Sequence, residues 1–111
     1  MSGTPSIRFF YSEALYAQAI AVLETMGQAD DPTEYSDALG DLVVALTEAG
    51  LDYYFLKPLH LAEVGFVSRQ SASFGLASAK RFMAPVIRSI IGGMDGDQLL
   101  TVCGFIRDLM D

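Results

Sequence analysis

The sequence predicts an all-α fold, a compact bundle of about five helices. Apolar residues recur at three- and four-residue spacing between glycine and proline breaks. Two stretches, "DPTE" and "DGDQ", have the spacing of helix-start signals. No segment alternates apolar and polar residues between hairpin turns. A length of 111 residues fits one domain, so we expect a single helical domain over residues 1–111, with residues 1–8 as a poorly ordered arm.

The first predicted helix covers residues 9–26. Its apolar side chains keep to one face at near-3.6 spacing, and Gly27 is a natural residue to end it. This apolar stripe consists of Tyr11, Leu15, Ala19, Val22 and Met26.

The second predicted helix has the clearest start in the chain. Asp31 is placed as N-cap, Pro32 as the first helical residue and Glu34 as the partner in a capping box. Gly50 is expected to end this helix. Asp52 is then expected to cap a short third helix that contains Pro58. The predicted apolar face of the second helix is Tyr35, Leu39, Leu42, Val43 and Leu46.

The fourth predicted helix is the longest and covers residues 66–91. Pro85 predicts that it is kinked or restarted near Ala84. The turn "GGMDGD" separates it from a fifth helix, where Asp95 and Gln98 have capping-pair spacing. The apolar face of the fifth helix is Leu99, Val102, Cys103, Ile106, Leu109 and Met110.

Charge is strongly segregated along the chain. Residues 1–56 carry one cation and nine acids, residues 57–94 carry five cations and one acid, and residues 95–111 carry one cation and four acids. The total of −7 argues against nucleic acid as the main partner, because that affinity comes largely from cations that neutralise phosphates. A hydrophobic fraction of 51% is high for so small a chain and favours a homo-oligomer or a partner-binding surface.

The fourth helix is predicted to have two different faces. At about 100° per residue, its four cations fall within an arc of about 120°. The opposite arc contains Ser71, Gly75 and Ala79, whose four-residue spacing lets another helix come close. We expect these three residues to pack inside the fold or, alternatively, to form a dimer seam. The cations, which are candidates for binding an anion or a partner, are Arg69, Lys80, Arg81 and Arg88.

The second helix is predicted to carry an acidic stripe without basic residues beside it. Like charges at this spacing repel by a few tenths of a kcal/mol per pair, so the cations of the fourth helix are the natural compensation, within one chain or across a dimer. The alternative is that both charged faces are simply solvated. The stripe consists of Glu34, Asp37, Asp41 and Glu48.

Catalytic signals in the sequence are weak. His60 is the only histidine, and a helix would place Lys57 and Glu63 three residues to either side. No orienting partner is identifiable, so a structural role is favoured over acid–base chemistry. Cys103 lies on the apolar face of the fifth helix and is expected to be a buried thiol with a raised pKa. No serine fits a nucleophile motif, and the pair Asp95 and Asp97 lacks the further ligands of a calcium loop.

Half of the twelve Phe and Tyr residues lie in two short runs, "IRFFY" at residues 7–11 and "DYYFL" at residues 52–56. Consecutive aromatic residues on a helix cannot all face one core. We expect them to be mostly internal, with an interface or a ligand slot as the alternatives.

These observations favour a small non-catalytic helical protein that acts as a protein–protein interaction or regulatory module, as a homodimer. The alternative is a protein that binds an anionic small molecule or a lipid headgroup through the basic face of the fourth helix. We expect no cofactor and no metal site. A transmembrane segment is not expected, since a span needs about 20 apolar residues and the longest charge-free runs contain ten. No signal-peptide pattern is present at the N-terminus, and a cytoplasmic location is the default expectation.

Overall fold

The structure of the protein is a computed structural model that describes residues 12–110. Over these residues the chain is almost entirely helical and contains no strand, which confirms the all-α bundle. The arm predicted over residues 1–8, the run at residues 7–11 and Tyr11 of the first apolar stripe lie outside the described residues. Residues 12–110 form four helical rods rather than about five, because the second and third predicted helices are continuous.

Helix α1 spans Glu13–Gln28. Ser12 has extended backbone, and its Oγ accepts a hydrogen bond of 3.1 Å from the Leu15 N–H, so the predicted start at residue 9 is wrong. The predicted stop at Gly27 is also wrong, because helical hydrogen bonding continues to Gln28 and the extended residue is Ala29.

A 3-10 turn, Pro32–Tyr35, leads into α2, Ser36–Leu51. Asp31 is the N-cap as predicted, but its Oδ1 accepts from the Thr33 N–H at 3.1 Å and from the Thr33 hydroxyl at 2.6 Å. The predicted capping box with Glu34 is therefore wrong, because the carboxylate bonds Thr33 in the tighter 3-10 turn.

The chain does not stop at Gly50 but continues from α2 through a π-helical segment, Asp52–Leu56, into α3, Lys57–Leu61. Asp52 is helical and does not cap a new helix, so that prediction is wrong. Pro58 gives the physical reason for the wide turn, because it has no N–H and its ring crowds the carbonyl four residues earlier. In the π segment the Lys57 N–H donates to the Asp52 carbonyl, five residues back.

The end of α3 is a Schellman motif with an unusual residue in it. The Val64 N–H donates to the Leu59 carbonyl and the Glu63 N–H to the His60 carbonyl, at 3.3 and 3.2 Å. Glu63 occupies the left-handed position of this motif, with φ of 54°. Glycine is the usual residue there because it has no Cβ to crowd the following carbonyl.

Replacing Glu63 by glycine is therefore expected to raise the free energy of unfolding by about 0.5–1 kcal/mol, since relief of the backbone strain exceeds the entropy that glycine adds to the unfolded chain. Urea denaturation measures this directly. Glu63→Ala is the matched control: it removes the same carboxylate but keeps the Cβ, so its stability should not rise. An equal gain in both variants would contradict a backbone origin.

Helix α4, Phe66–Gly92, is a long, kinked helix that contains Pro85 and is not restarted there. Helix α5 spans Gly96–Leu109 and begins with the predicted capping box. The Gln98 N–H donates to Asp95 Oδ1 at 2.8 Å, and the Asp95 N–H donates to Gln98 Oε1 at 2.9 Å. The DGDQ start signal is thus confirmed.

The core lies at one end of the molecule. It joins α1, α2 and α5 with the last turn of α4, where Ile91 is the buried contribution. The radius of gyration is 16.0 Å, whereas a compact domain of this length has about 13 Å. The rest of α4 extends beyond the core, packed on the α2 rod. The buried members of the core cluster are Ala19, Leu23, Met26, Leu39, Leu42, Ile91, Leu99, Cys103 and Ile106.

Candidate functional site

Among residues 12–110, helix α4 contacts the rest of the chain through one side. That inner side packs mainly on α2, with Leu76 and Ile91 buried and Met83 and Ile87 half-buried. The aliphatic part of the Lys80 side chain packs on the same side, so that only 24% of this side chain is exposed. Packing on α2 thus accounts for the apolar residues on the inner side of α4. It does not account for the apolar residues on the opposite side.

The opposite side of α4, called here the outer face, is exposed along the length of the helix and carries no charge. Its residues span an arc of about 160°. Phe82 is 80% exposed, and Phe74 and Val67 are each 76% exposed. Large apolar side chains with this exposure alternate with small ones. The outer face consists of Val67, Ser68, Ser71, Phe74, Gly75, Ser78, Ala79, Phe82, Pro85, Val86, Ser89 and Ile90.

The predicted packing residues Ser71, Gly75 and Ala79 all lie on this outer face and are exposed. A Cβ added at Gly75 would meet nothing within 4 Å among the described residues. As far as residues 12–110 are concerned, the expectation that these three residues pack inside the fold is therefore wrong, because α4 turns its other side towards α2. Their alternative role, as a seam with another chain, stays a prediction.

The close approach within the fold occurs instead at Gly40 of α2, which the sequence reasoning did not single out. Gly40 is buried, and a Cβ there would lie 3.7 Å from the Arg88 Cα and 3.9 Å from the Ile91 Cβ. Its position in the midst of the apolar residues of α2 was the available signal. Gly40 thus lets α4 lie directly on α2.

Two of the four predicted cations pair with carboxylates of the same chain. Lys80 Nζ lies 2.7 Å from Asp52 Oδ1, and Arg88 Nε lies 3.0 Å from Asp41 Oδ1. Asp41 belongs to the predicted acidic stripe, whereas Asp52 lies in the π segment. Both pairs are partly solvated, so each contributes about 0–1 kcal/mol. The pairing aligns α4 with the α2 rod and leaves these two cations less free for a ligand.

The other two cations, Arg69 and Arg81, are exposed and have no acidic partner within residues 12–110. Arg81 borders the outer face. Arg69 lines a depression of about 250 Å³ between the end of the α2 rod and the start of α4. The four predicted cations therefore do not form one site. The depression is lined by Leu56, Leu59, His60, Phe66, Arg69, Gln70 and Ser73.

The predicted cluster around His60 is dispersed. Lys57 Nζ lies 4.6 Å from the centre of the Tyr53 ring, a cation–π distance. Glu63 sits in the left-handed turn, and His60 is exposed at the rim of the depression. His60 shares the depression with Arg69, a cation, and among the described residues no ion pair joins it to the Glu63 carboxylate that acid–base chemistry would use.

The second aromatic run lies in the π segment and is only partly internal. Tyr53 is half-buried, whereas Tyr54 and Phe55 are each 44% exposed. The Tyr53 and Tyr54 rings meet edge to face with centroids 5.5 Å apart. The expectation that these aromatics are mostly internal therefore holds for Tyr53 alone.

Cys103 is buried on the core side of α5, as predicted, with its Sγ 3.6 Å from the Met26 Sδ. Burial raises the pKa of the Cys103 thiol, and the positive charge of Arg107 offsets part of that rise. The burial of the sulfur and the net rise of its pKa fit a packing role rather than a reactive one.

A thiol reagent such as dithionitrobenzoate is accordingly expected to react with Cys103 at least ~100-fold more slowly in native buffer than in denaturant, because the sulfur is covered and the raised pKa lowers the thiolate fraction. Absorbance of the released thiolate gives the rate. Native labelling as fast as that of the unfolded chain would contradict the buried position.

Within the part of the chain that the structure describes, no three His, Cys, Asp or Glu side chains cluster in a way that could hold a metal ion. Of the helices described, not one combines the length and the apolar character required to cross a bilayer. No protein-family model, curated protein or solved structure matches this chain. The proposals below rest on two surface features, the apolar outer face of α4 and the depression beside Arg69.

Proposed function

We propose that this protein is a non-catalytic interaction module, located in the cytoplasm, that binds another polypeptide through the outer face of α4. The observation that carries the proposal is a charge-free face, exposed along the whole of a 27-residue helix, with Phe74 and Phe82 projecting from it. Binding through such a surface involves no chemical step, which suits a regulatory or scaffolding role.

The size of the outer face supports this proposal. Its two phenylalanines, two valines and one isoleucine, at 50–80% exposure, together with the smaller residues present roughly 600–800 Å² of apolar area. The largest apolar patch of an ordinary monomer is about 300–600 Å². Each partner in a standard protein–protein interface contributes about 800 Å². The outer face is thus large enough for a specific complex.

Photocrosslinking in the cell tests the proposal. With p-benzoylphenylalanine in place of Phe82, irradiation is expected to join the chain to another polypeptide, because Phe82 is 80% exposed at the middle of the outer face. The matched control carries the same group in place of Phe105, which is 65% exposed on α5. An adduct to lipid, an adduct to residues 1–11 of the same chain, or equal protein adducts from both positions would overturn the proposal.

A second candidate function rests on the depression beside Arg69. Arg69, His60, Gln70 and Ser73 supply hydrogen-bond donors there, and leucine and phenylalanine side chains supply an apolar wall. This arrangement suits a small anion that carries an apolar group, such as a carboxylate with a short aliphatic chain. This second candidate keeps Arg69, one of the four predicted cations, as the ligand of the anion.

The melting temperature in the presence of octanoate tests this second candidate, since a ligand that binds only the native state stabilises it. The wild type and the Arg81→Gln control are expected to be stabilised, and Arg69→Gln is expected to lose the effect. An equal shift in Arg69→Gln would show that Arg69 is not the anion ligand.

A further inference from the structure

The outer face of α4 combines a row of small residues with projecting phenylalanines. This relief indicates what covers the face. Ser71, Gly75 and Ala79 form a shallow groove along the helix, and Gly75 has open space where a Cβ would stand. Phe74 and Phe82 stand beside this groove as projections. A surface that carries both groove and projection can pair with an identical surface, as an isologous two-fold contact requires.

We infer that the partner which covers the outer face is a second copy of this chain, with two α4 helices crossing near Gly75. This inference rests on the proposed function and names the partner at the same site. Small residues at a crossing let two helix backbones come close. The phenylalanines of each copy then cover the small residues of the other.

The charge distribution is compatible with such a pair despite the net charge of −7. The acidic stripe lies on α2 and on the 3-10 turn before it, and α2 packs on the inner side of α4, away from the outer face. Asp41 of the stripe is already paired with Arg88. A helix is about 10 Å wide and charges are screened beyond about 8 Å at physiological salt. The acids of the two copies therefore repel weakly, and Arg81 is the one cation that borders the contact without an acidic partner among the described residues.

The available area and the small residues favour a second copy over a membrane surface. Two copies of the outer face match the roughly 800 Å² per partner of a standard interface. Binding to a fluid lipid surface does not require a groove. Burial of Ser71, Ser78 and Ser89 among acyl chains would also desolvate their hydroxyl groups. A partner helix tolerates the same serines at a close contact.

Sedimentation velocity and native mass spectrometry of the full chain, from about 1 to about 100 μM, test the inference. The wild type is expected to be dimeric. Phe82→Asp is expected to raise the dimer dissociation constant at least ~100-fold, because it places an unpaired carboxylate inside the contact, about two turns from the crossing. Phe105→Asp, an equivalent change on an exposed residue of α5, should leave the dimer intact.

Gly75→Leu separates dimerisation from folding. In the isolated chain the new side chain meets open space and improves helix propensity, so at a concentration where both chains are monomeric the variant should fold and melt no lower than the wild type. The dimer should weaken at least ~10-fold, because leucine fills the groove and overpacks the crossing. A loss of helical circular dichroism in Phe82→Asp or Gly75→Leu would overturn the inference, since it would make the outer face part of the fold.

A wild type that stays monomeric up to about 100 μM, or equal dissociation of the Phe82→Asp and Phe105→Asp variants, would also overturn the inference. In that case the benzophenone adduct at position 82 separates the remaining outcomes. A protein adduct of a different mass would leave the proposed interaction module standing with another partner. Lipid or intramolecular adducts would remove both proposals.

Discussion

Replacing Leu39 by alanine is expected to lower the free energy of unfolding by about 3 kcal/mol. Leu39 is completely buried, at the centre of the cluster that joins α1, α2 and α5. Removal of its side chain loses the transfer free energy of the buried carbons and leaves a cavity among helices that relax only in part. Urea denaturation, followed by circular dichroism, gives the change directly.

Leu61→Ala is the matched control for this prediction. Leu61 ends α3 and is 74% exposed, so the same deletion removes little buried area there and should change stability by less than about 0.5 kcal/mol. Comparable losses in the two variants would mean that Leu39 is not in the core.

Replacing Gly40 by leucine is expected to lower the free energy of unfolding by about 1–3 kcal/mol, because the side chain has to displace the backbone of α4 at Arg88. Gly40→Ala is expected to be neutral or stabilising by up to about 1 kcal/mol, since its Cβ would meet that backbone at 3.7 Å, an ordinary van der Waals distance, and alanine favours a helix. Thermal unfolding of both variants measures the difference.

Gly75→Leu serves as the reference substitution on the other side of α4, where the same change meets open space and should not destabilise the monomer. If Gly40→Leu and Gly75→Leu destabilise the chain equally at a concentration where it is monomeric, the assignment of inner and outer sides of α4 is incorrect.

The helical fold follows from the sequence where local signals are complete. Asp95 and Gln98 define the start of α5 by spacing alone, and the structure contains both of the hydrogen bonds that this spacing predicts. Glycine was a poor guide to helix ends. Gly50 continues a helix and Gly27 lies inside one, because tertiary packing outweighs a cost of about 1 kcal/mol per glycine.

The side that α4 turns inward could not be predicted from periodicity. Both sides are apolar enough to be buried, and the cations lie partly over the side that packs, where the stem of Lys80 covers α2. The arc that contains Ser71, Gly75 and Ala79 is exposed and does not pack on α2, and its role as a seam with another chain stays a prediction. In the structure Leu76 and Ile91 are buried on the inner side. The ion pairs to Asp41 and Asp52 on the α2 rod agree with this orientation, and each adds only about 0–1 kcal/mol.

The π segment, Asp52–Leu56, determines the direction in which the side chains of α3 point around the axis of the α2 rod. A π turn contains one residue more than an α turn, which shifts the following side chains by about 100° around the axis. Leu59 and His60 consequently face the start of α4, where they complete the wall beside Arg69. One extra residue in the π turn before Pro58 thereby makes the end of a packing helix the edge of the depression.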